Sequence, residues 1–149
     1  MNIVICSMVV FIGFSLPLII QDLKSYSITP IFIYCGFFLL SLIKFFFLKE
    51  NVLNAFYGAL FELSLYVLIW VVSKKKLGVG DIKYSAFCGL FIGDFWAIIL
   101  ANLFTSFLGI SVYIFLVIFR KKREKIKIPF VPFMFLGSLV VSFFSYFKV

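Results

Sequence analysis

Histidine is absent from the 149 residues. Its absence excludes Ser-His-Asp and Cys-His nucleophile schemes, together with zinc motifs built on paired histidines. Charge is scarce too, 13% of the chain against about 25% in a soluble domain. Carboxylates are scarcest, six Asp and Glu against fourteen Lys and Arg. Cysteine occurs three times, at Cys6, Cys35 and Cys88, within apolar runs and without CxxC spacing. That pattern supports neither a metal knuckle nor a disulfide framework, and the three read as small buried hydrophobes. No internal repeat, low-complexity segment or soluble linker interrupts the chain. Any acid–base chemistry must come from carboxylates, lysines, tyrosines or hydroxyls, and neither a cofactor nor a metal is expected.

Hydrophobic bulk is what the sequence does have: 64% of residues are apolar and 23 are Phe. So little polar surface cannot face water, so one membrane-embedded domain over residues 1–149 is expected, its phenylalanines largely turned to lipid. A spanning helix needs roughly 20 apolar residues. Runs at 2–20, 31–48, 52–73, 95–119 and 129–147 approach or exceed that length. Between the third and fourth lies a shorter apolar stretch, 82–93, ended by a Gly93-Asp94 turn. The expected fold is all-α, a polytopic membrane bundle of six transmembrane helices with a short fourth one. The first run has no Lys or Arg before Lys24 and no A-x-A site, so it reads as a retained helix and not a signal peptide.

Positive charge orients the bundle. Lys24, then Lys74-Lys75-Lys76, then the cluster from Arg120 to Lys127 occupy the odd loops, whereas even loops carry Lys49, Glu50 and Asp94. The positive-inside rule places the odd loops in the cytoplasm and both termini outside, in the cytoplasmic (inner) membrane. Anionic lipid headgroups, not nucleic acid, are the expected partners of this +8 chain.

Asp22 directly follows the first run and Asp81 opens the short fourth helix, which puts one carboxylate from each of two distant loops on the same face. Glu50 and Asp94 fall on the other face, and Glu124 lies in the basic loop. The short helix reaches only about 18 Å against a hydrocarbon core of about 30 Å, so one of its ends must be recessed. A recessed carboxylate at Asp81 is a functional candidate by default. Two carboxylates close together share one proton: the ionised member takes a proton from attacking water, and its partner hydrogen-bonds the scissile carbonyl. The structural counterpart is simple, Asp81 as an N-cap and Asp22 as an interfacial residue closing its helix. Glu62, in the third span, is expected to pair with Lys44 or another polar group.

The string Gly78-Val79-Gly80-Asp81-Ile82-Lys83 resembles the GxGDxK signature of the type IV prepilin and archaeal preflagellin peptidases, among the GxGD membrane aspartyl proteases. Asp22-Leu23-Lys24 through Ile28-Thr29-Pro30 is similar to that family's first-aspartate segment, with Ile-Thr-Pro in place of Ile-Pro-Asn. Ile128-Pro129-Phe130-Val131-Pro132-Phe133 resembles its C-terminal Pro-Phe-x-Pro helix start. The resemblance implies Asp22 and Asp81 as the catalytic pair, with Gly78, Gly80, Lys83, Pro129 and Pro132 shaping the site. Gly78 and Gly80 would allow tight turns and close approach of a substrate strand. It implies cleavage, at the cytoplasmic face, of a prepilin-like or archaellin-like precursor after a leader glycine. No N-terminal methylating domain with paired cysteines precedes the spans, so cleavage alone is expected. Ser25 or Ser27 activated by Lys24 is a competing enzyme scheme, and signal peptide peptidase-like proteolysis is a nearer one, although no YD or PAL string occurs. A non-enzymatic scaffold or transporter subunit would tolerate Asp→Asn at both aspartates; a dyad protease would not.

Overall fold

The structure, a computed structural model, describes residues 2–47, 52–119 and 128–147. These form α1 (Asn2–Ser25), α2 (Pro30–Phe47), α3 (Val52–Val72), α4 (Val79–Ile92), α5 (Phe95–Phe119) and α6 (Val131–Phe147). Among the described residues, four stretches are long and apolar enough to cross a membrane: Val4–Ser25, Pro30–Phe47, Val52–Val72 and Phe95–Ile118. The basic cluster from Arg120 to Lys127, with Glu124, lies outside the described residues, as do Lys49 and Glu50.

Helix ends follow local chemistry. α1 runs five residues beyond the predicted end at residue 20, through the helix-tolerant Gln21, Leu23 and Lys24. It stops where Tyr26 turns left-handed, φ 50°, with its N–H on Asp22 O at 3.0 Å. The loop then folds back, Thr29 N–H donating to Gln21 Oε1 at 2.9 Å. α3 ends through left-handed Lys74 and Lys75, the latter donating to Trp70 O at 2.8 Å and placing its ammonium 5.3 Å from the Trp70 ring centre. At Gly93, φ 76°, the N–H returns to Gly89 O, closing α4 in the αL manner that glycine allows. Asp94 Oδ2 then accepts the Ala97 N–H at 2.9 Å and caps α5. The Gly93-Asp94 turn stands as predicted.

α4 is the hub. It touches all five other helices and buries Tyr84, Phe87, Cys88, Leu90 and Phe91. Phe11 of α1 stacks on Phe91 with ring centres 4.0 Å apart, and lies 5.1 Å from Phe87 and 5.7 Å from Phe135 of α6. α3 approaches α4 most closely along Ala55, Gly58, Ala59 and Gly89. A β-carbon at Gly89 would lie 2.5 Å from Gly58 O, and one at Gly58 would lie 2.8 Å from Gly89 O. Small residues are the means by which membrane helices come this near, since lipid supplies no hydrophobic drive between them.

Phenylalanine divides between two environments. Phe38, Phe45, Phe46, Phe47, Phe107 and Phe144 are exposed on outer faces, as lipid-facing bulk should be, but Phe11, Phe87, Phe91 and Phe135 build the core. The cysteines divide as well. Cys88 is buried, whereas Cys6 and Cys35 are exposed on the outside of their helices, because an apolar run in lipid has no obligation to bury its small residues.

Candidate active site

Asp22 lies in the last turn of α1, not after it. Its residue is only 5% exposed, and its Oδ2 accepts the backbone N–H of Val131 at 3.0 Å. Val131 is the first residue of α6. Phe130 is the residue whose carbonyl accepts the opening helical bonds, from Phe133 at 3.1 Å and Met134 at 3.2 Å. Phenylalanine cannot cap with its side chain. Pro129 and Pro132 have no N–H, so the donors left at this helix start are those of Phe130 and Val131. The carboxylate of Asp22 therefore caps α6 across 109 residues of sequence, at the end where the helix dipole favours an anion. Pro129 lies just before this helix start and Pro132 in its first turn; that the start turns its donors to Asp22 has no sequence signal.

Asp81 lies in the first turn of α4, outside the four candidate spans, and is half-buried. The N-cap of α4 is Gly78, so Asp81 is the third helical residue and not the N-cap. From there its carboxyl folds back toward the cap: a β-carbon at Gly78 would stand 2.9 Å from Asp81 Oδ2. Burial first, and next the charge of Asp22, push the Asp81 carboxyl up to about 6, partly offset by the Gly78 N–H. The structure thus brings the two aspartates to one end of the bundle, within electrostatic reach of each other.

The glycines of the GxGD string serve space. Gly78 has φ −67° and ψ 136°, a conformation any residue adopts, so the tight-turn rationale does not apply to it. A side chain there would meet Asp81. One at Gly80 would press on Ile28, whose Cδ1 would be 3.0 Å from the added carbon. Gly80 thereby admits the 26–29 loop, which follows Asp22, against the start of α4. Lys83 does not turn toward the carboxylates: its ammonium lies 5.5 Å from the Tyr34 ring centre on α2, a cation–π placement. Ser25 and Ser27 bond to each other at 2.8 Å on the exposed side, and Lys24 is exposed beside them.

Below Asp81 runs a buried polar chain, of which only Glu62 stood out in the sequence. Glu62, 3% exposed, accepts the Asn102 amide at 2.8 Å, and Asn102 Oδ1 accepts the Tyr66 hydroxyl at 3.1 Å. The Tyr66 ring packs on Phe130, centres 6.2 Å apart, just ahead of the Val131 N–H that holds Asp22. Glu62 therefore finds its partner on α5, while Lys44 donates to Phe91 O at 2.9 Å. Removing one member of such a pair leaves a buried polar group unmet, at about 1–3 kcal/mol. Glu62→Leu should accordingly lower the unfolding midpoint in detergent clearly, and Glu62→Gln, which keeps the acceptor, only slightly. Equal losses from both would mean that the charge itself is needed.

Neither the comparison with curated proteins nor that with solved structures returned a match. A protein-family comparison did: the Type IV leader peptidase family matches residues 9–115. That stretch holds Asp22, Asp81, α2 to α4 entire and most of α1 and α5. With four helices fit to span a membrane and this match over most of its length, the chain is an integral membrane protein that belongs to the type IV leader peptidase family.

Proposed function

We propose that this protein is a membrane aspartyl endopeptidase in which Asp22 and Asp81 act as one catalytic pair. The observation that carries the reading is their convergence: Asp22, fixed by the first N–H of α6, lies near enough to raise Asp81 at the head of the buried α4. The pair shares one proton. Its ionised member draws a proton from water as that water attacks the scissile carbonyl carbon, and its protonated member donates to the carbonyl oxygen. Collapse of the tetrahedral intermediate returns a proton to the departing amine. Ser25 and Ser27 are a weaker nucleophile reading, since they are bonded to each other at the exposed end of α1.

The substrate class is a prepilin-like or archaellin-like precursor, cut after its leader glycine at the cytoplasmic face. The family match supports a leader-peptide substrate, and Lys24 and Lys74–Lys76 near the aspartate end support a cytoplasmic location under the positive-inside rule. The test is co-expression with a prepilin-like precursor, followed by sequencing of the product N-terminus. A new terminus immediately after the leader glycine is expected. Cleavage at scattered positions, or none across a panel of such leaders, would refute the substrate assignment.

A shared proton also dictates a pH dependence. Raised above the ordinary carboxyl range, Asp81 keeps its proton until the pH passes about 6. Above that point the doubly ionised pair accumulates and kcat/KM declines, by about tenfold per pH unit well beyond the upper macroscopic pKa. A profile in membranes that stays flat from about pH 6 to about pH 9 would show that no protonated carboxyl takes part.

A further inference from the structure

A cavity of about 840 Å³ lies at the end of the bundle opposite the aspartates, where α2 and α6 finish, α3 begins and α4 gives way to α5. Asp81 to Phe91 spans ten residues of α4, about 15 Å of helix, so this space is separate from the candidate active site. Its lining holds two charged residues, Lys44 and Asp94, and the uncharged polar Asn54, Tyr57, Ser64, Ser142 and Ser145. Lys44 is 4% exposed, and among the described residues its ammonium has one protein acceptor, Phe91 O at 2.9 Å. An ammonium has three donors, and a buried one is costly unless acceptors meet them. Ser142, 1% exposed, carries a hydroxyl with no hydrogen-bond partner among the described residues. Asp94 spends one oxygen on the Ala97 N–H. Opposite charges thus line one cavity, each turned to backbone instead of to the other.

A lone anion would suit Lys44 and be opposed by Asp94, and a lone cation the reverse. A zwitterion satisfies both. Lys44 stands three residues before the end of α2, about 4.5 Å of helix, which is headgroup depth for a spanning helix. Leu60, Phe61, Phe95 and Ile98 give the cavity an apolar flank, and Leu60 and Phe95 continue it onto the exposed outer surface.

We propose that this cavity binds a phosphoethanolamine group, its phosphate on Lys44 and Ser142 and its ammonium on the free oxygen of Asp94, carried by a phospholipid whose chains lie along the apolar flank. The inference does not depend on the protease reading. Its test is native mass spectrometry of the full chain from detergent, with phosphatidylethanolamine, phosphatidylglycerol or soluble glycerophosphoethanolamine added. Retention of phosphatidylethanolamine about tenfold above phosphatidylglycerol is expected, the scale of one charge-assisted hydrogen bond. Asp94→Ser keeps an N-cap for α5 while removing the charge, and should erase that preference. Ser64→Phe, a bulky plug from the exposed rim of the cavity, should displace both lipids. Retention of the soluble headgroup to the same degree would establish the same chemistry with a soluble source, and its failure to bind would make the acyl chains necessary. Equal retention of the two lipids by the wild type, or a preference unchanged in both variants, would overturn the proposal.

Discussion

Asp22→Asn and Asp81→Asn should each abolish cleavage of a prepilin-like precursor, lowering kcat/KM by about 10³-fold or more, while leaving the protein folded and inserted. The separation of the two effects follows from where the side chains sit. Asn is as good an N-cap as Asp, so Asp22→Asn retains an oxygen for the Val131 N–H and with it the start of α6. Asp81 is half-buried and its carboxyl takes the Gly78 N–H, a contact that an amide oxygen can keep, so an isosteric amide there removes a carboxyl that burial already disfavours as an anion. Neither amide can take a proton from water at neutral pH, and so the chemistry fails with little change in packing. Asp22→Ala provides the contrast: it loses the cap as well, at about 1 kcal/mol, and should unfold measurably earlier than Asp22→Asn. Cleavage would be followed by immunoblot of membranes and folding by thermal unfolding in detergent. Wild-type cleavage by both Asn variants would end the two-aspartate reading.

How the aspartates come together was legible because carboxylates are so few. With six in 149 residues, and apolar runs long enough to fix the alternation of ends, Asp22 and Asp81 could be placed at one end by counting. The extent of α1 past Asp22 was not legible, since Gln21, Leu23 and Lys24 serve a helix end or a loop equally well. Backbone donors are silent in sequence altogether. Nothing in Pro129-Phe130-Val131-Pro132 names the distant carboxylate that receives the Val131 N–H. The partner of Glu62 was equally hidden, because Asn102 of α5 and Lys44 of α2 are both polar residues within apolar spans. Phenylalanine illustrates the general limit. In a lipid-bathed bundle the outside and the core are both apolar, so hydrophobic pattern fixes which residues are helical but only weakly which way they face.

The same limit makes the glycines the sharpest test of how α3 and α4 pack. Gly89→Ala should lower stability by about 3 kcal/mol, at the upper end of what overpacking a fitted core costs. The added carbon would meet Gly58 O at 2.5 Å, Glu62 Cβ at 2.7 Å and Ala59 Cα at 2.9 Å. Two of these neighbours are backbone atoms, which cannot swing aside as a flexible side chain can, and so relief requires α4 to move away from α3. Any such movement carries Asp81 at its head and disturbs the Glu62–Asn102 bond, so cleavage should fall together with the unfolding midpoint. Gly13→Ala in α1 and Gly109→Ala in α5 are the matched controls, with nothing within 4 Å of the added carbon. By helix propensity alone these two should be neutral or more stable by up to about 1 kcal/mol. A Gly89→Ala protein as stable as its Gly13→Ala and Gly109→Ala counterparts would mean that α3 and α4 do not cross at Gly58 and Gly89, and the placement of Asp81 relative to Asp22 would have to be rebuilt.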